Sequence, residues 1–320
     1  MIISVSRRTD IPAFYSEWFF NRLKEGYVLV QNSMNTKQIS RLELNKNTVD
    51  CFVFWTKNAK PMLKRLDELK EYKYYFQYTI TGYNKEVEIG LGNKKDIINN
   101  FRELSKVIGR EKVILRYDPI FLSDKYTIDY HCKAFDKLCS ELQGYTDKCV
   151  ISFLDLYTKT KKNTKGLNII PFTLDTIYEV AYRLSLIAKK YNISIETCSE
   201  GYNLQKFGIK KGKCIDDRLV SQIIGYKVNV KKDETQREVC GCVKSIDIGQ
   251  YNTCKHHCLY CYANYSYSQV EGNCKKHNPN NPLLVGEVPV NAKITNRQLK
   301  SIKGDSICIK QINLLDDINL

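Results

Sequence analysis

Through the first two hundred residues, short apolar runs alternate with longer amphipathic stretches. The apolar runs are "IISV" from Ile2, "CFVFW" from Cys51, "YYFQYTIT" from Tyr74, "KVILRYDP" from Lys112, "CVISFLDLY" from Cys149 and "ISIETCSE" from Ile193. They are β-branched or aromatic and nearly continuous, as strands buried on both faces of a parallel sheet must be. Between them, "AFYSEWFFNRLKEG", "AKPMLKRLDELKEY", "DIINNFRELSKVIG", "YHCKAFDKLCSELQG" and "LDTIYEVAYRLSLIAKKY" place apolar residues at three- and four-residue spacing, the period of an amphipathic helix. Strand–helix alternation with right-handed crossovers predicts an α/β fold on a parallel sheet. Each apolar run ends in polar residues: Arg7, Arg8 and Asp10; Lys57; Gln77 and Thr79; Arg116 and Asp118; Ser152 and Asp155; Glu196. Polar groups gathered at strand ends favour a (βα) barrel or partial barrel, whose sites lie at that face.

Two inserts interrupt the rhythm. Residues 27–50 read as a hairpin, and residues 156–170 as a basic loop that could act as a lid. After residue 200 the pattern changes. "CIDDRLVSQIIG" predicts a short helix starting at Cys214, "DETQREVCGC" a turn, "VKSIDIG" one more strand, and "LYCYANYSYSQV" an aromatic helix. The predicted organisation is therefore a strand-and-helix body over 1–200, a cysteine-bearing segment over the barrel mouth at 201–243, a last strand with loop and helix at 244–270, and a tail packed on the barrel at 271–320.

Composition narrows the class. Apolar residues make up 43% of 320 residues, and no run approaches the ~20 apolar residues of a membrane helix. The apolar start is too short for a signal-peptide core, so a cytoplasmic protein without a membrane partner is expected. The formal charge is +15, which permits polyanion binding but equally describes a solvated lysine-rich surface.

Thirteen cysteines require a separate account, because a reducing compartment disfavours disulfides. Cys51, Cys132, Cys139, Cys149 and Cys308 sit in apolar or mixed runs and read as packing residues. Cys198, Cys214, Cys240, Cys242, Cys254, Cys258 and Cys261 fall within one third of the chain. Cys254, Cys258 and Cys261 form C-x3-C-x2-C within "CKHHCLYCYANYS". Structural zinc wants four ligands; His256 or His257 would have to strain to close the set from inside the loop. A 4Fe–4S cube held by three cysteines keeps one iron open as a working position.

The C-x3-C-x2-C motif, with aromatic Tyr260 before its third cysteine, a strand in front and a helix behind, resembles the signature of the radical S-adenosylmethionine enzymes. The resemblance implies a 4Fe–4S cluster on Cys254, Cys258 and Cys261, with S-adenosylmethionine chelated at the open iron and its adenine stacked on Tyr260. It implies reductive cleavage to methionine and a 5′-deoxyadenosyl radical, and an electron donor such as flavodoxin or ferredoxin. In that family the cluster loop follows the first barrel strand; here it lies near the C-terminus. A circular permutation restores the order if "VKSIDIG" pairs beside "IISVS". The family's glycine-rich amine-binding stretch would then fall at Ser6–Asp10, which is not glycine-rich, with Asp10 available to the amine and Arg8 to the carboxylate. The chain also resembles an uncharacterised bacterial family that starts near "VSRRTDIP" and ends in "DIGQYNTC..C..CYAN". More distantly, "FWTKN" and "LRYDP" are similar to strand ends of spore photoproduct lyase-like proteins.

Four further thiols, Cys198, Cys214, Cys240 and Cys242, lie among acidic residues and Gly241. They predict an auxiliary centre, a second 4Fe–4S cluster ahead of zinc, with unliganded thiols as the plain alternative. Lys57, Gln77, Arg116 and Asp118 are candidate cofactor or substrate contacts; ion pairs such as Arg116–Asp118 or Lys57–Glu196 are the structural alternative. No residue is assigned a catalytic role. The substrate class stays open between nucleic acid, peptide and small molecule. The competing reading is a basic zinc or iron–sulfur protein that binds nucleic acid or carries electrons without catalysis.

Overall fold

The computed structural model describes residues 1–307; Cys308 lies outside them. In chain order the strands are β1 (Ile2–Val5), β2 (Tyr27–Gln31), β3 (Gln38–Glu43), β4 (Cys51–Thr56), β5 (Tyr74–Thr79), β6 (Val113–Ile120), β7 (Lys148–Phe153), β8 (Ser194–Thr197), β9 (Lys210–Lys211), β10 (Tyr226–Val228), β11 (Ile246–Asp247), β12 (Lys293–Asn296) and β13 (Lys303–Ile307). Eight of them form one sheet in the order β11-β1-β4-β5-β6-β7-β8-β9, and every pair in it is parallel.

β11, the last of these eight strands in sequence, pairs in parallel with β1, Ile3 opposite Ile246 and Ser4 opposite Asp247. The expected return of "VKSIDIG" to the first strand is therefore found. No ladder joins β9 to β11 among the described residues, so the sheet is open there. Among the described residues the gap is spanned by one backbone–backbone bond, Val243 N to Ile215 O at 3.2 Å.

Successive side chains of a strand point to opposite faces, and the two faces are covered differently. Ile3, Val5, Phe52, Phe54, Phe76, Tyr78, Leu115, Tyr117, Cys149 and Ile151 pack under the crossover helices in the largest core cluster. Ile2, Cys51, Val53, Tyr75, Ile114 and Val150 pack instead with Cys214, Ile215, Leu219, Val220, Ile224, Cys240, Cys242 and Val243. The segment 214–243 thus lies against the second face of the sheet as well as across its ends. Further along the same face the residues turn polar: Ser4, Gln77 and Arg116 are all buried.

Several elements differ from the sequence pattern, each for a local reason. The helix expected over 59–72 is two pieces, Lys60–Leu63 and a 3-10 turn Leu66–Leu69. The helix expected from Cys214 starts at Asp217, because Asp216 accepts from Arg218 N and caps it; Cys214 is left free to face the sheet. The helix expected over 259–270 covers only Tyr267–Cys274, capped by Ser266. Its first half is held as loop by Asn252, which bonds Ala263 O through its backbone and Tyr265 N through its side chain. The basic stretch 156–170 contains a short helix, Thr158–Asn163, rather than an open loop. The hairpin over 27–50 is present as β2–β3, with β12 of the tail added to it. The two-lysine strand β9 has no apolar signal and was not expected. Cys51, Cys132, Cys139 and Cys149 are buried, in line with packing roles.

Candidate metal centre

The cysteine loop leaves the sheet directly after β11. Its base is fixed by Asp247, which accepts from Ser4 Oγ at 2.8 Å, Ser6 Oγ at 2.6 Å, Arg7 N at 2.8 Å and Gly249 N at 3.0 Å. The guanidiniums of Arg7 and Arg8 stand 3.9 and 4.0 Å from the same carboxylate. Gly249 is needed there: a Cβ would meet Ser6 Oγ at 2.0 Å. The expected neighbourhood of Ser6–Asp10 and the cysteine loop is thereby present, and Tyr262 OH completes it by donating to Arg7 O at 2.6 Å.

A second anchor is Gly90. Its N–H donates to His256 O at 2.9 Å, and a Cβ at Gly90 would lie 2.1 Å from Lys255 O. Glu88 forms an antiparallel bridge with Cys258. These contacts hold the loop's backbone at the strand ends. Burial first, then Cys261 and more weakly Cys258, push the Cys254 thiol well up. Burial pushes Cys258 up to about 12. Ala263 N donates to Cys261 Sγ at 3.3 Å. Without a cation such thiols keep their protons; a bound metal would convert them to thiolates.

Among the described residues, no group of three or more His, Cys, Asp or Glu side chains is arranged to hold a single metal ion. A 4Fe–4S cube asks for a different arrangement, because each cysteine serves its own iron and the sulfurs stand further apart than around one ion. Three soft donors on one anchored loop suit that group. His256 does not complete the set: its Nε2 is bonded to Asp10 at 2.8 Å. Its Nδ1 is buried without a partner, an orphaned polar atom inside the loop.

Asp10 is fully occupied as it stands. It accepts from Ala13 N, Thr56 Oγ1, Lys57 N and His256 Nε2, so it ties the loop to β4 and caps the helix Ile11–Phe14. Arg8 lies over the Tyr251 ring at 5.1 Å. Tyr260 is buried; its ring meets Tyr83 at 5.6 Å with a 52° tilt, and its hydroxyl donates to Glu88. Glu88 also accepts from Lys57 Nζ at 2.7 Å and Thr81 Oγ1 at 2.8 Å, and pairs with Lys94. Burial alone would raise this carboxyl, but Lys57 and Lys94 outweigh it and hold it below the usual carboxylate range. The two amines share it unequally: burial and the nearby Lys57 leave Lys94 below its ordinary value. A cavity of about 190 Å³, lined by Tyr83, Glu88, Leu91 and Lys94 among others, opens beside this network.

The other candidates gather on the second face of the sheet. Arg116, only 5% exposed, donates through Nε to Asp118 Oδ2 at 2.9 Å and through Nη1 to Gln77 Oε1 at 3.2 Å and Cys214 Sγ at 2.9 Å. Gln77 Nε2 donates to Cys214 O at 2.9 Å. The Arg116–Asp118 pair expected as a structural alternative is present. Lys57–Glu196 is not: Lys57 meets Glu88, and Glu196 meets Lys148 and Arg218. Asp247, Glu88 and Gly90 were not singled out by the sequence. An acidic residue inside the apolar strand "SIDIG" was the one available signal.

The chain belongs to the family DUF1848, a domain of unknown function, whose model matches residues 2–263. The match runs from β1 to just past Cys261 and so contains both sets of thiols. No curated protein matches the chain. Among the described residues no helix is long and apolar enough to cross a membrane.

Proposed function

We propose that this protein is a radical S-adenosylmethionine enzyme built on a permuted partial barrel. The observation that carries the reading is the C-x3-C-x2-C loop leaving β11, the strand paired with β1. The loop thereby follows the strand that stands first in the sheet, where that enzyme class keeps its cluster. Cys254, Cys258 and Cys261 would hold a 4Fe–4S cluster. When bound, that cluster would supply the electron that cleaves S-adenosylmethionine to methionine and a 5′-deoxyadenosyl radical.

The chain's own residues would bind and orient. Asp247 holds Arg7 and Arg8 beside the loop, where a guanidinium can receive the carboxylate of the amino-acid moiety. Asp10, with no free oxygen contact of its own to give, fixes the loop rather than the amine. Lys57, Tyr260 and Glu88 form a buried charged wall on one side of the loop. Gln77, Arg116 and Asp118 would supply polar contacts on the second face of the sheet for cofactor or substrate. The substrate is a nucleic acid, a peptide or a small molecule, and the electron would come from a carrier such as flavodoxin or ferredoxin. Iron and sulfide analysis after anaerobic reconstitution, followed by an assay for 5′-deoxyadenosine, tests the reading; protein that binds no iron under those conditions contradicts it.

A further inference from the structure

We propose that Cys198, Cys214, Cys240 and Cys242 form a separate structural site for one tetrahedral divalent ion of the zinc type, which fastens the two open ends of the sheet to each other. The inference does not rest on the radical chemistry proposed above.

The placement of the four residues along the chain comes first. Cys198 directly follows β8, and Cys214 follows β9, at one end of the sheet. Cys240 and Cys242 precede β11 at the other end. Among the described residues no ladder closes this gap, and the one backbone–backbone bond across it is Val243 N to Ile215 O. The four thiols nevertheless meet. Cys198 Sγ and Cys214 Sγ are 2.9 Å apart. Cys242 lies close enough to Cys214 and Cys240 to shift the titration of both thiols, and Cys240 neighbours Cys198 and Ser199. All four are free thiols, and Cys214, Cys240 and Cys242 are buried at 3%, 7% and 3% exposure.

The surroundings suit thiolate ligands. Arg116 Nη1 donates to Cys214 Sγ at 2.9 Å and Ile215 N donates to Cys242 Sγ at 3.4 Å. Such N–H···S bonds orient metal-bound sulfurs and moderate their charge. Arg116 is itself held by Asp118 and Gln77, so its position does not depend on the thiols.

Geometry decides between one ion and a cluster. As they stand, no three of these groups are spaced to hold an ion, and the Cys198–Cys214 contact is too short for it. A zinc–sulfur bond of about 2.3 Å gives a tetrahedron with edges of about 3.8 Å. That pair needs to open by about 1 Å from its present 2.9 Å. A 4Fe–4S cube puts each cysteine on its own iron with sulfides between them, which would force buried side chains apart by far more. The contact therefore favours a single ion, the reverse of the order expected from the sequence. Binding is redox-neutral: four S–H bonds break, four metal–sulfur bonds form, and four protons leave to solvent with the displaced aqua ligands.

The test uses full-length protein. The triple variant C254A/C258A/C261A is purified and its metal content measured after exposure to zinc, then after exchange with cobalt(II). The expected result is about one zinc per chain, with intense sulfur-to-cobalt charge-transfer bands. Adding C240S and C242S should reduce bound zinc at least about tenfold and lower the unfolding temperature. If those substitutions prevent folding, the cobalt spectrum of the triple variant still decides. Zinc far below one per chain without thiolate–cobalt bands overturns the proposal. So does iron with inorganic sulfide on the triple variant, which would make the second site a cluster. Loss of iron from Cys254, Cys258 and Cys261 in otherwise wild-type protein would contradict the proposed function and leave this site untouched.

Discussion

Ser4 and Asp247 are register partners on neighbouring parallel strands, and their side chains are hydrogen bonded at 2.8 Å across 243 residues of sequence. The contact joins the first strand of the chain to the strand that carries the cysteine loop. Asp247 also accepts from Ser6, Arg7 and Gly249, so one carboxylate sets the register of β11 and the exit of the loop.

Replacing Asp247 by Ala leaves four donors without their acceptor in a buried site. The expected loss of stability is about 3 kcal/mol, against about 2 kcal/mol for Ser4→Ala, which removes one bond of the four and the acceptor of Trp55 Nε1. Urea denaturation of both variants measures the difference. A D247A variant within about 0.5 kcal/mol of wild type, the range of ordinary surface changes, would show that the carboxylate does not anchor the strand.

Gly90→Ala should act on the loop and spare the sheet. The new Cβ would fall 2.1 Å from Lys255 O, which is backbone and cannot rotate away. The 254–261 loop must shift, so iron bound after reconstitution should fall at least about fivefold while far-UV circular dichroism is unchanged. Full iron binding by G90A would mean that the loop's position is not fixed from this side.

The sheet was legible because its strands are buried on both faces and read as continuous apolar runs; even the two-residue β11 was found from "SIDIG". The two-lysine β9 carries no such signal, since its place comes only from pairing with Glu196 and Thr197. Helix boundaries went astray where a polar side chain settles the matter, as Asp216 and Ser266 do. The cysteine loop was legible because its three cysteines are close in sequence. Glu88 was not, because its meaning comes from Tyr260, 172 residues away, and from Lys57.

Glu88→Gln should cost roughly 3 kcal/mol near neutral pH, because it leaves the Lys57 ammonium without its buried partner; the half-exposed Lys94 adds little. The carboxyl is depressed in the folded protein, so its contribution is present above the unfolded value of 4.5 and is lost as pH falls below it. The difference between wild type and E88Q, followed by thermal unfolding, should therefore shrink on acidification below about pH 4.5. A difference that is constant down to pH 3 would contradict the charge pairing.

His131 gives the complementary signature. Burial lowers its pKa from 6.5 to about 4, with Nδ1 bonded to Tyr117 OH and Nε2 to Phe121 O, both at 2.9 Å. The unfolded chain takes up a proton between those values and the folded protein does not. Stability is lost as pH falls from about 6.5 towards 4, by roughly 3 kcal/mol in all. H131Q, which can still donate to Phe121 O, should be less stable at pH 7 but lose less on acidification. Parallel pH profiles for the two proteins would show that His131 titrates normally.

The loop after β11 is proposed to support reductive cleavage of S-adenosylmethionine. The direct measurement is 5′-deoxyadenosine formed by anaerobically reconstituted, dithionite-reduced protein, compared with C258A reconstituted in parallel. Product is expected from the wild type with at least about four iron per chain, and none above background from the variant. Wild-type protein that carries the iron yet forms no 5′-deoxyadenosine, or forms it equally well as C258A, would contradict it.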